Sequence, residues 1–119
     1  MADLIYLLTH STDNPDRAAT GLATALAAQR AGHDVVLWLS GEGVRLGVSQ
    51  VAETLREPGP ETAAERVEAL AKGGAVLYMN RACFERREFS PDAVRTGGQV
   101  VEADRLAVLV AEGRHALSL

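Results

Sequence analysis

Three uninterrupted apolar runs, Leu4–Leu8, Val35–Leu39 and Ala75–Met79, constrain this chain more than any other feature. A strand with one face in water alternates apolar and polar residues. An uninterrupted run needs cover on both faces, as in a parallel sheet enclosed by helices. The segments between the runs read as that cover. After the first run and Thr9, Asn14 is placed to cap a helix, with Pro15 at its first position, where the missing N–H costs nothing. The helix is expected to run to about Ala31 and to stop at Gly32. Its apolar face is Ala18, Leu22, Ala25 and Leu26, small enough to let a helix approach a sheet closely. Strand, helix and strand in this order form a right-handed parallel crossover.

The rest of the chain repeats the alternation. Ser40-Gly41-Glu42-Gly43-Val44 turns the chain, and a short helical stretch is expected up to Leu55. Pro58-Gly59-Pro60 breaks it. A second helical period runs from Glu61 to Lys72 with Ala64, Val67, Leu70 and Ala71, closed by Gly73-Gly74. Asn80 follows the third run, and a short helix from Arg81 to Arg87 carries Cys83. Ser90-Pro91 caps a further turn, Gln99-Val100-Val101 is a short fourth strand, Ala103 to Glu112 a last helix, and Arg114 to Leu119 a final strand. The expected fold is a three-layer α/β/α sandwich with a five-stranded, mostly parallel sheet, one domain over residues 1–119.

Composition narrows the function classes. With 47% apolar residues in 119, a core can form without staples. Only five residues are aromatic, so Leu, Val and Ala must build that core. A net charge of −4 offers no field for a phosphate backbone, which argues against nucleic acid. The lone cysteine, Cys83, excludes an internal disulfide and a multi-cysteine zinc site, and a free thiol suits a reducing compartment. The acidic start, Met1-Ala2-Asp3-Leu4, is unlike an export signal, and no stretch approaches membrane-spanning length. A cytoplasmic protein without metal or cofactor is expected, and without a membrane partner.

In open α/β sheets ligands bind beyond the carboxyl ends of the strands. Those ends deliver Thr9, His10, Ser11 and Thr12 from the first strand, Glu42 from the second, and Asn80 and Cys83 from the third. Cys83, three residues into a helix and near Arg81, Arg86 and Arg87, is placed for a lowered pKa and nucleophilic work. The alternative is a small core residue. His10 suits a general base or an anion ligand beside a helix start, or a histidine bonded within its own loop. Glu42, between two glycines, presents a carboxylate to the site or only to solvent. His33 and His115 fall on the opposite rim and read as surface residues.

Three segments carry a family resemblance. Tyr6-Leu7-Leu8-Thr9-His10-Ser11-Thr12-Asp13-Asn14-Pro15-Asp16-Arg17-Ala18 resembles the opening strand and loop of DsrE-like proteins. Trp38-Leu39-Ser40-Gly41-Glu42-Gly43-Val44 is similar to their second strand and Gly-acid-Gly-Val turn. Leu77 to Phe89 is similar to their Cys-x-x-Cys-Ala-x-x-Arg-Gly segment. The resemblance covers nearly the whole chain. It implies a five-stranded parallel sheet, homo-oligomers that are often trimers or hexamers, and, in some members, persulfide carriage on a cysteine. Two positions depart from the pattern. The first family cysteine falls on Asn80, which leaves Cys83 as the only thiol, displaced by one helical turn or about 5 Å. The family glycine after the arginine falls on Glu88.

Two functions therefore stand side by side. One is a sulfur carrier or thiol-based relay protein, with Cys83 as acceptor, Arg87 or the helix dipole holding the anion and His10 assisting proton transfer, served by a sulfur donor or acceptor protein. The other is a non-catalytic oligomeric domain that binds a small anion or a protein partner through the same residues.

Overall fold

The computed structural model describes residues 3–55 and 62–119. Its elements run β1 (Asp3–Leu8), α1 (Pro15–Arg30), β2 (Asp34–Leu39), 3-10 helices at Gly41–Gly47 and Ala52–Thr54, and α2 (Ala63–Lys72). Then come β3 (Val76–Asn80), α3 (Arg81–Arg86), a 3-10 turn at Pro91–Ala93, β4 (Gly98–Val101), α4 (Asp104–Ala111) and β5 (His115–Ser118). The expected strands and helices are present, most displaced by a residue or two. The helical stretch expected before Leu55 is two 3-10 pieces rather than one α-helix. The break at Pro58-Gly59-Pro60 and the start of the second helix at Glu61 lie outside the described residues. None of the described helices is long and apolar enough to cross a membrane.

The helix boundaries follow the capping chemistry. Asn14 accepts from the Arg17 N–H at the start of α1. Thr62 and Glu65 form a reciprocal capping box at the start of α2. Ser90 accepts from the Asp92 N–H ahead of Pro91.

All four strand pairings are parallel, and the five strands lie in the order β4-β3-β2-β1-β5. From β1 to β4 the chain steps outward in one direction. It then returns across the sheet through α4 to place β5 beside β1. Crossovers of one hand put α1 and α2 on one face, and the reversed step puts α4 on the other. The packing agrees. Tyr6, Leu8, Leu37, Leu39, Leu77 and Met79 join the buried residues of α1 and α2 in the main core. The alternate strand residues Ile5, Val36 and Trp38 pack with Leu109 of α4 in a smaller cluster. Both sides of the inner strands are thus covered, which is why their sequences run apolar without alternation. Each fully buried leucine in this core contributes about 1.5–3 kcal/mol.

The close approach of α1 to the sheet depends on Gly21. A Cβ there would stand 2.5 Å from Cδ2 of Leu8 in the neighbouring strand.

Candidate functional site at the carboxyl rim of the sheet

The carboxyl ends of β1, β2 and β3 lie side by side, because those strands are adjacent and parallel. The first contact between them is backbone. Ser40 N–H donates to the Leu8 carbonyl at 3.2 Å, and a Cβ on Gly43 would collide with that same carbonyl. Glycine at 43 therefore lets the Glu42 turn lie directly against the end of β1. This places Thr9, which is exposed, beside the segment that carries Glu42.

Glu42 is the electrostatic centre of the rim. Its Oε1 accepts from Arg45 Nε at 2.7 Å and its Oε2 from Arg87 Nε at 2.8 Å. Those two guanidinium donors, Arg45 first and Arg87 second, hold the Glu42 carboxyl below its ordinary range. Arg45 also stacks over the Phe89 ring, 5.4 Å from its centroid, and Phe89 packs against Phe84 at 5.8 Å.

Asn80 and Cys83 are joined through the start of α3. Asn80 is the last residue of β3 and the N-cap of α3, its Oδ1 accepting from the Cys83 N–H at 3.1 Å. The Cys83 carbonyl accepts from Arg87 Nη1 at 2.9 Å. Cys83 itself is half-buried, packed against the edge of the main core. Arg87 therefore has one donor on Glu42 and one on the Cys83 backbone. Arg81 faces the other way, paired with Glu85 and Glu102.

The β1–α1 loop is organised by Asp13. Its Oδ1 accepts from the Ser11 N–H and its Oδ2 meets His10 Nδ1, both at 2.8 Å. The Ser11 N–H, and after it the His10 side chain, hold the Asp13 carboxyl below its usual value. Ser11 is fully buried, and among the described residues its hydroxyl oxygen has no hydrogen-bond partner. Thr12 is exposed.

Of the residues singled out in the sequence, Glu42, Arg87, Asn80 and Cys83 form one connected chain of contacts, and Thr9 adjoins it through the backbone. His10, Ser11 and Thr12 stand on the neighbouring loop. Among the described residues no hydrogen bond or ion pair links His10 to Cys83. Sequence reasoning passed over Arg45, Phe89 and Asp13. The spacings Glu42–Arg45 and His10–Asp13, three residues apart in tight loops, were the available signal. Among the described residues no three His, Cys, Asp or Glu side chains gather as metal ligands.

These features define a small parallel α/β domain that carries a single half-buried thiol on the carboxyl rim of its sheet. The chain belongs to the DsrE/DsrF-like family, whose family model matches residues 2–119. Its fold is shared with the ychN protein of E. coli, with a TM-score of 0.84 at 16% identity over 100% of both chains. A protein of unknown function from Methanobacterium thermoautotrophicum superposes with a TM-score of 0.75 at 11% identity, also over 100% of both chains. A conserved protein of unknown function from Bacteroides thetaiotaomicron gives 0.66 at 16% identity, over 98% of this chain and 95% of that one. At these identities the likeness establishes the fold. No curated protein matches the chain.

Proposed function

We propose that the protein is a thiol-based sulfur carrier of the DsrE type, cytoplasmic and homo-oligomeric, with Cys83 as its acceptor. The observation that supports this reading most directly is the half-buried state of Cys83, the sole thiol, at the rim where parallel sheets take their ligands. The Cys83 thiol first gives its proton to the medium. The thiolate then attacks the outer sulfur of a donor persulfide, R–S–SH. A Cys83 S–S bond forms, the donor S–S bond breaks, and the donor leaves as thiolate RS⁻. The product, Cys83 persulfide, retains the donor's proton. His10, with Nδ1 held by Asp13, keeps Nε2 for proton exchange on the same rim. Arg87 fixes the Cys83 backbone.

The test is intact mass after exposure to a small organic persulfide. Wild type should gain one sulfur atom and Cys83→Ala none, with both folded. An unmodified wild type would end the carrier reading.

A second reading has its own support. Asn80, at the position of the family's first cysteine, serves as a helix cap, and Arg87 is neutralised by Glu42. A site so arranged suits a non-catalytic domain that binds a small anion or a partner protein without covalent chemistry.

A further inference from the structure

Both backbone polar groups of Cys83 are held by side chains. Its N–H donates to Asn80 Oδ1 at 3.1 Å, and its carbonyl accepts from Arg87 Nη1 at 2.9 Å. The reason lies in the length of α3. A helix of six residues leaves most of its first N–H and last C=O groups without a partner inside it. In a longer helix the Arg87 N–H would donate to the Cys83 carbonyl. Here it turns to the Phe84 carbonyl at 3.2 Å, and the Arg87 side chain takes its place. So short a helix is not stable by itself, and its support comes from outside it.

For the Cys83 carbonyl that support is Glu42. Arg87 is a long side chain, and one hydrogen bond to a carbonyl does not fix its rotamers. Its Nε also donates to Glu42 Oε2 at 2.8 Å, which sets two donors of one planar guanidinium at once. The Arg87 side chain is 17% exposed and that of Glu42 31%, so the pair is partly shielded from water. Glu42 is itself anchored. Arg45 Nε donates to its Oε1 at 2.7 Å, and Gly43 lets its turn lie against the end of β1. A connected path thus runs from the end of β1 through Glu42 and Arg87 to the peptide of the thiol.

We infer that Glu42 is a positioning residue for the Cys83 thiol: acting through Arg87, it holds α3 in place and keeps the thiol half-buried. The inference rests on the carrier reading, for which it sets how readily a sulfur donor reaches Cys83. Without Glu42, Arg87 is free to turn to solvent, the end of α3 loosens, and local opening exposes the thiol more often.

The test is the rate at which iodoacetamide alkylates Cys83 in the intact protein, followed by mass across the pH range in which a thiol ionises. The thiolate is the reacting form, so the rate climbs with pH to a plateau. The plateau measures access to the thiol, and the midpoint of the climb measures its ionisation. Glu42→Ala should raise the plateau about threefold, the factor that loss of a partly exposed ion pair allows. Arg87→Ala should raise it at least as much. Glu42→Ala added to Arg87→Ala should change nothing further, because Glu42 acts through Arg87. Thr62→Ala is the control. It removes the cap of α2, costs comparable stability in another helix, and should leave the plateau at wild type. An unchanged plateau in Glu42→Ala, a shift of the midpoint alone, additive effects of the two substitutions, or an equal rise in Thr62→Ala would each overturn the inference. Alkylation needs no sulfur donor. The positioning role can therefore fail while Cys83 still gains sulfur, and the carrier reading can fail while the plateau still rises.

Discussion

Arg87 and Glu42, 45 residues apart, meet at 2.8 Å and tie the loop after β2 to the helix after β3. The pair lies beside the Cys83 backbone, so whatever disturbs it disturbs the segment that carries the thiol. Glu42 keeps its charge because Arg45 and Arg87 both donate to it, and its carboxyl sits below the ordinary 4.5. A depressed folded-state pKa stabilises the fold above the unfolded-state value. That contribution is lost as the pH falls through the folded-state value. Glu42→Gln should therefore cost about 0.5–1 kcal/mol at neutral pH, discounted for partial exposure. The gap to wild type should narrow steadily once the pH drops below 4.5. Urea denaturation of both proteins across that range measures it.

Glu88 adopts φ +58°, a left-handed conformation, at the position where the family pattern has glycine. Left-handed geometry costs a non-glycine residue about 1–2 kcal/mol, and part of that is offset by the greater unfolded-state entropy of glycine. Glu88→Gly should stabilise the protein by about 0.5–1 kcal/mol. Thermal denaturation should show a melting temperature raised by a few degrees.

Asn80 acts on the thiol segment through its cap. Removing the side chain in Asn80→Ala leaves the Cys83 N–H without its acceptor and should cost about 1 kcal/mol. Asn80→Asp preserves an acceptor oxygen and should stay close to wild type. If Asn80 is only a cap, both variants should still take one sulfur on Cys83. Denaturation midpoints and intact mass, run on the same samples, separate the two effects.

Assembly should involve the α4 side of the sheet. Val108 and Val110 are 51% and 46% exposed and lie on α4, the helix that covers that face among the described residues. Apolar residues left outside by one copy suit burial against another. Light scattering at micromolar concentration should give a mass above that of one chain. Val108→Glu with Val110→Glu should lower it toward the monomer. A strictly monomeric wild type would count against assembly.

Much of this protein was determined by its sequence alone. The runs Leu4–Leu8, Val35–Leu39 and Ala75–Met79 carry no polar face, and a strand without one needs two covers, which leaves a parallel sheet between helices. Asn14-Pro15 and Ser90-Pro91 marked where helical turns begin, because capping is local chemistry written in neighbouring residues. The positions of Thr9, Glu42, Asn80 and Cys83 at strand ends followed from the same parallel order. Tertiary structure decided the pairings. Glu42 and Arg87 are distant in sequence, and nothing local says that one carboxylate will take two guanidinium groups. Arg45 and Phe89 were invisible for the same reason. Periodicity and caps are properties of short stretches, whereas charge pairing arises where distant stretches pack, and only the folded chain brings those together.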